Sequence, residues 1–257
     1  MLAPLTFELL AAAFFAACVL VALAAPASPR RRLLTALLSA GIATVALNAG
    51  HAVDGARGWL GHAYLVAGYW IPALLVPPPA VAGSFESWLV RIDERWRRVA
   101  IGPPAWARPV LELSYLLCYV LVPLAFVIIW TTGTLSDVDH FWTAVLLAGF
   151  LCYGSLPWLV SRPPRSLDAP AGPSAGVRGV NERVLARVSH GLNTFPSGHV
   201  AVSLAAALQV VPISRPAGIV LLAIATAIAT GAIVGRYHYA ADVVLGAAIG
   251  IGVSLLV

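Results

Sequence analysis

The sequence predicts an all-α fold: a polytopic membrane helix bundle of about six to seven transmembrane helices with an interfacial amphipathic helix. Three observations carry this. Apolar residues make up 60% of the 257 residues and charged residues only 11%, against about 25% charged in a soluble domain. The apolar residues gather into runs near the ~20 residues that a bilayer core requires of a helix. The runs are longer than strands and lack strict alternation, and several are rich in Ala and Gly, which suits close helix packing in lipid.

The elements follow in order. Residues 6–25 form the first span. Its end, at residues 22–27, has some likeness to a signal-peptidase site, but no basic residue precedes it and Glu8 stands where a positive charge belongs, so it reads as a retained anchor. A short loop ending in Arg30, Arg31 and Arg32 leads to a return span at 33–48. Residues 64–76 are apolar but short, contain Pro72 and run into Pro77, Pro78 and Pro79, which fits a re-entrant or interfacial piece or a broken crossing. Residues 85–101 place Trp88, Leu89, Ile92, Trp96 and Val99 at helical spacing among Arg91, Arg95, Arg97 and Arg98, the pattern of an amphipathic helix in the membrane surface; a soluble surface helix is the bland alternative. Further spans are expected at 109–131, 141–160, 199–213, 217–235 and 240–257. The long polar stretch, 161–194, is rich in Pro, Gly, Ser and Arg and too poor in apolar residues for a core, so it reads as a loop or lid over a site.

The net charge of +5 comes wholly from arginine, since the chain has no lysine. In a membrane protein that excess suits anionic headgroups, topology setting or an anionic substrate. No basic run is interleaved with aromatics on a soluble face, so no nucleic-acid partner is expected. Cys18, Cys118 and Cys152 all lie in apolar runs without a CxxC pair, which argues against a disulfide framework or zinc site.

Three polar clusters stand at span ends: Arg162-Pro163-Pro164-Arg165; Phe195-Pro196-Ser197-Gly198-His199; and Arg236-Tyr237-His238-Tyr239-Ala240-Ala241-Asp242. If each intervening segment crosses once, parity puts all three on one membrane face. Ser197 and Gly198 offer backbone N–H groups at a helix start, a ready anion site. Arginines clamp phosphate oxygens through paired hydrogen bonds. His238 and Asp242 are four apart, which on a helix gives them one face; the carboxylate then holds one imidazole nitrogen protonated and leaves the other free to attack. His199 supplies an acid for the leaving oxygen. Nucleophile, acid and surrounding positive charge are the parts phosphoryl transfer needs. Taken singly, each of these groups has a structural reading: a satisfied helix-end histidine, a loop arginine, a snorkelling arginine. His51, His62 and His140 show no partner pattern and read as structural, His190 as solvated, and Asp137 and Asp139 as an exposed turn.

The pattern resembles the type 2 phosphatidic acid phosphatase superfamily, whose motifs end in Arg-Pro, read Pro-Ser-Gly-His, and pair a His with an Asp four residues on. Arg162-Pro163, the tetrapeptide at 196–199, and His238 with Asp242 match. By that resemblance His238 is the phosphate-accepting nucleophile, His199 the general acid and Asp242 the residue orienting His238. Arg162, Ser197 and Gly198 then bind phosphate, with no metal or other cofactor. Ser155 stands where the family has a lysine, and Gly231 and Ala232 where it has Ser-Arg; Arg165 and Arg236 are the candidate replacements. These departures, with Glu112, Tyr115 and Tyr119, are similar to the branch of inositol phosphorylceramide synthases. The organisation then reads as an N-terminal transmembrane helix pair (1–50), an interfacial or re-entrant region (51–108) and a catalytic phosphatase-like helix bundle (109–257).

The resemblance implies an enzyme acting on a lipid-linked phosphomonoester or pyrophosphate, with membrane lipids around it. Water as acceptor makes it a phosphatase; a lipid or sugar hydroxyl makes it a phosphotransferase. A lipid or anion transporter is the competing class, but it calls for charges at mid-span and repeated halves. Under the positive-inside rule Arg30–Arg32 and Arg215 mark the cytoplasm, so the site is expected on the outer face, provided 64–76 does not cross. Oligomeric state is not legible.

Overall fold

A computed structural model describes residues 3–51, 56–76, 83–99, 102–167 and 176–257, and among these it is all-helical. Pro77, Pro78, Pro79 and residues 100–101 of the surface segment lie outside the described residues. The helices are α1 (Thr6–Ala24), α2 (Pro29–Leu47), α3 (Ala56–Ala73), α4 (Ser84–Val99), α5 (Ala107–Tyr115), α6 (Cys118–Thr132), α7 (Leu135–Tyr153), α8 (Gly176–Val188), α9 (Gly198–Val210), α10 (Arg215–Val234) and α11 (Ala240–Leu256).

Among the described residues, α1, α7 and α10 are each long and apolar enough to cross a membrane, and α5 with α6 make a fourth span if the bent pair counts as one. The expected single helix at 109–131 breaks at Leu116–Leu117 with a bend of 61°. Two further apolar helices, α9 and α11, are shorter, at 13 and 17 residues. The six to seven spans counted from sequence therefore include short and arginine-bearing helices as well as the three or four unambiguous ones. The outward faces of α2 and α10 carry Leu33, Leu37, Ile219 and Val220 in the open, as a lipid-facing surface would.

The short helix α9 is the axis of the bundle, contacted by α6, α7, α10 and α11. It can occupy that place because its buried face is built from Ala201, Ser203, Ala205, Ala206 and Ala207, small residues that let backbones approach. Facing it on α11, Gly246 and Gly250 lie against the backbones of Ser197 and Ala201, where any Cβ would collide.

Helix α3 runs the height of the bundle parallel to α7. Its Gly58, Gly61 and Gly68 receive the side chains of Trp130, Trp142 and Phe150 in turn. At one end Arg57 makes a bidentate pair with buried Glu8, both bonds 2.6 Å. At the other, the Val76 carbonyl accepts from Arg31 at 2.5 Å. The segment is short in hydropathy because glycines, an arginine and a histidine serve packing. Arg31 stands at the same end of the bundle as the C-terminus of α7, the end that carries the three polar clusters.

Two local readings change. Asp139 is not part of an exposed turn; it accepts from the Thr6 and Phe7 amides at 3.1 and 3.0 Å and caps α1. The polar stretch 161–194 holds a helix of its own, α8, which packs on α5.

Candidate active site

Three loops meet at one end of the bundle: the one leaving α7, the one entering α9 and the one joining α10 to α11. Backbone bonds tie them pairwise. The Asn193 amide donates to the Ser161 carbonyl at 2.9 Å, the Arg165 amide to Arg236 O at 3.0 Å, and the Ser197 amide to Asp242 O at 2.9 Å.

His238 lies just before the start of α11, and Asp242 is the third residue of that helix. Their contact is therefore not the shared helical face inferred from the four-residue spacing. Asp242 reaches back over the helix start, where its Oδ2 accepts from the Tyr239 amide at 3.0 Å, and meets His238 Nδ1 at 3.3 Å. A third donor, Asn193 Nδ2, reaches the same oxygen at 2.7 Å. Asp242 and His238 are 0% and 4% exposed. With a carboxylate as acceptor, Nδ1 must carry the proton, which leaves the Nε2 lone pair free.

His199, on the first turn of α9, faces His238 with ring centroids 5.8 Å apart. Tyr115 sits 5.7 Å from His199 and 6.3 Å from His238, stacked on Tyr237 at 4.3 Å. Arg165 lies over the other ring partner, its guanidinium carbon 4.6 Å from the Tyr237 centroid. Arg165, Asn193, Thr194, His199, Tyr237 and His238 share a cavity of about 20 Å³, a little more than the roughly 10–15 Å³ one water requires.

The structure thus brings together His238, Asp242, His199 and Arg165. It does not bring the other predicted phosphate ligands to that cavity. Arg162 forms a fork on Glu86 of α4, with Nε and Nη2 at 3.1 and 2.7 Å, and its amide donates to the same carboxylate at 2.8 Å. The arginine holds the Glu86 carboxyl below its usual range, and Glu86 in turn raises Arg162. Arg236 pairs with Asp93, two turns further along α4, at 3.0 Å. Ser197 caps α9 through a bond from the Val200 amide at 3.5 Å, and the Gly198 amide donates to Thr194 Oγ1 at 3.3 Å.

The family departures have local causes. Gly231 lies against the Leu111 carbonyl of α5, leaving no room for a side chain. Ser155, in the lysine position, donates to the Phe195 carbonyl at 2.5 Å and ties two loops. Sequence reasoning missed Glu86, Asp93 and Asn193, since each acts on a residue far away in the chain. It also misjudged His190, whose ring stacks on Tyr69 at 4.2 Å and whose burial lowers it to about 4.

A second, larger cavity of about 400 Å³ adjoins the first, with Tyr69 and His199 lining both. Its walls are mostly apolar, including Leu65, Trp70, Val122 and Val202.

A family model described as the PAP2 superfamily matches residues 84–256. The chain belongs to the PAP2 superfamily. Membership makes it a membrane protein of a phosphatase or phosphotransferase family and supports a phosphatase-type activity. The PAP2 match begins at α4 and takes in all three loops of the site, while α1, α2 and α3 lie outside it. No curated protein and no solved structure is matched by the chain.

Proposed function

We propose that this PAP2 protein is a multi-pass membrane phosphatase that hydrolyses a lipid-linked phosphomonoester or pyrophosphate through a phosphohistidine. The carrying observation is the pair of imidazoles 5.8 Å apart, one of them bonded through Nδ1 to a buried carboxylate. Centroids at that separation put the two rings on either side of one small space, as an attacking imidazole and a proton donor to the leaving oxygen would have to be.

In this reading His238 Nε2 attacks phosphorus as the bond to the leaving oxygen breaks. His199 gives that oxygen its proton. Asp242 stabilises the positive charge that His238 acquires, and Arg165 balances the phosphoryl oxygens. Water then attacks the phosphohistidine, His199 takes its proton, and inorganic phosphate leaves. Arg162 and Arg236 hold α4 across the site loops through Glu86 and Asp93, and Ser197 and Gly198 shape the start of α9.

One observation bears on the substrate. The 400 Å³ apolar cavity, which reaches His199, falls in the range of small-molecule sites and suits a hydrocarbon chain. On topology, we read α3 as a crossing, which sets Arg30–Arg32 at the site's end and Arg215 at the other; giving the triple-arginine loop the greater weight under the positive-inside rule, the site end faces the cytoplasm, in place of the outer face expected if 64–76 does not cross.

The test is phosphate release by detergent-purified wild type and His238→Ala, over long- and short-chain lipid phosphates and pyrophosphates, with a metal chelator present. The reading expects release by wild type alone, with long chains preferred. Equal release by His238→Ala would overturn the mechanism, and no preference for chain length would remove the lipid assignment.

A further inference from the structure

Asn193 is the point at which all three site loops are joined. Its amide donates to the Ser161 carbonyl at 2.9 Å, in the only bridge of this kind among the described residues. Its side-chain Nδ2 donates to Ser161 Oγ at 3.0 Å and to Asp242 Oδ2 at 2.7 Å. The residue is 1% exposed, so bulk solvent does not compete for these bonds. Because a carboxylate oxygen only accepts, the amide orientation follows from Asp242: nitrogen toward it, oxygen away. Among the described residues that oxygen has no partner, so the two Nδ2 bonds are what hold the amide.

We infer that Asn193 is a positioning residue for the reaction, setting Asp242 so that its Oδ2 faces His238 Nδ1. The reasoning rests on the His238 mechanism proposed above. Three donors converge on Oδ2: His238 Nδ1, the Tyr239 amide and Asn193 Nδ2. The Tyr239 amide belongs to the same helix start and moves with Asp242. Asn193 is the donor from elsewhere in the chain, and it makes the shortest of the three bonds. Without it the carboxylate is held only by donors from its own segment, Tyr239 and His238, and its Oδ1, unpartnered among the described residues, competes for the histidine. The Asn193 bond also draws charge from Oδ2, which restrains how firmly Asp242 holds the His238 proton.

Removing the donor has a signature that loosening the loops lacks. In Asn193→Leu the carboxylate becomes more basic toward His238, and the acidic limb of the pH–rate profile moves to higher pH. Asn193→Asp sets a second buried carboxyl beside Asp242; the two share a proton whose loss is coupled to His238, and the limb moves further to higher pH. The other ionisable groups around the pair, His199, Arg165, Tyr69, Tyr115, Tyr237 and Tyr239, are common to every variant.

The experiment measures kcat, KM and the pH profile of phosphate release for wild type, Asn193→Leu, Asn193→Asp and Ser161→Ala, with thermal melts alongside. Ser161→Ala removes the other Nδ2 bond and leaves the Asp242 bond and the backbone bridge intact. The expected result is a fall in kcat of about 10- to 100-fold for Asn193→Leu, the size of one hydrogen bond to a charged group. KM changes little, the limb shifts in the order given, and Ser161→Ala stays near wild type. Equal losses in Asn193→Leu and Ser161→Ala with an unmoved limb would overturn the inference and leave Asn193 a loop tie. If Asn193→Leu does not fold, Asn193→Asp, nearly the same shape, carries the test through its limb shift. His238→Ala run in parallel separates the two levels: activity surviving there contradicts the mechanism itself, whereas a dead His238→Ala with a normal Asn193→Leu contradicts only the inference.

Discussion

Replacing Asp242 by Asn tests the geometry more sharply than deleting it. All three donors on this carboxylate reach Oδ2, while Oδ1 has no partner. An asparagine can therefore place its oxygen where Oδ2 is and its NH2 in the unpartnered position. His238 keeps its Nδ1 proton and its free Nε2, and only the charge is lost. The loss is that of turning a charge-assisted bond into a neutral one, about 1.5–3 kcal/mol at most, or roughly 10- to 100-fold in kcat. The melting temperature should move little. Asp242→Ala is different: it abandons the Asn193 and Tyr239 donors in a buried site, at about 1–3 kcal/mol each in stability. It also releases the histidine, so activity should fall at least about 1000-fold. The assay is phosphate release on a lipid phosphate under saturating conditions, with thermal melts on the same preparations. A folded Asp242→Asn with full activity would refute the role given to the carboxylate. One as inactive as Asp242→Ala would refute the claim that Oδ2 alone orients the histidine.

Three further outcomes follow from other parts of the structure. Glu86 is held low by Arg162, so the pair's stabilisation is fully present above the ordinary carboxylate range and is lost as pH falls through the lowered value. Glu86→Gln should thus lower the melting temperature at neutral pH and converge with wild type in acid; a gap that persists at the lowest pH would contradict the pairing. Gly231→Ser, the residue usual in the family, drives a side chain into the Leu111 carbonyl and should cost about 1–3 kcal/mol by overpacking, read as a lower melting temperature; an unchanged melt would show that α5 gives way freely. In a background with Cys18, Cys118 and Cys152 replaced, single cysteines at Arg31 and Arg165 should label with an impermeant maleimide from the same side, opposite to one at Arg215; labelling of 31 and 165 from opposite sides would break the path assigned to α3.

Much of the site was legible because its residues are sequence-local or chemically unusual. His238 and Asp242 stand four apart, and His199 opens an apolar run. The reason for their contact was not legible: it comes from a helix start, where Asp242 caps the Tyr239 amide, and not from a helical face. The arginines show what spacing cannot reach. Arg162 and Arg236 have the right type and motif position, and α4 supplies Glu86 and Asp93 as their partners from more than 70 positions away, a distance across which no spacing rule operates. Arg165, of the Pro-Pro-Arg run, lines the cavity. Among the helices, hydropathy found α1, α7 and α10, the expected single span at 109–131 proved to be the bent pair α5–α6, and α3 stayed ambiguous, since its glycines spend their positions on receiving Trp130, Trp142 and Phe150. That ambiguity carried the topology with it.

The central claim is that phosphate passes through His238. The direct measurement is to mix enzyme with a lipid phosphate, quench in alkali within milliseconds, and map the phosphorylated peptide by mass spectrometry. The account predicts a base-stable, acid-labile phosphoryl group on the peptide carrying His238 in wild type, increased in His199→Ala when the substrate has a good leaving group, and absent in His238→Ala. Steady phosphate release with no phosphohistidine at any time point, or with the phosphoryl group on another residue, would contradict it.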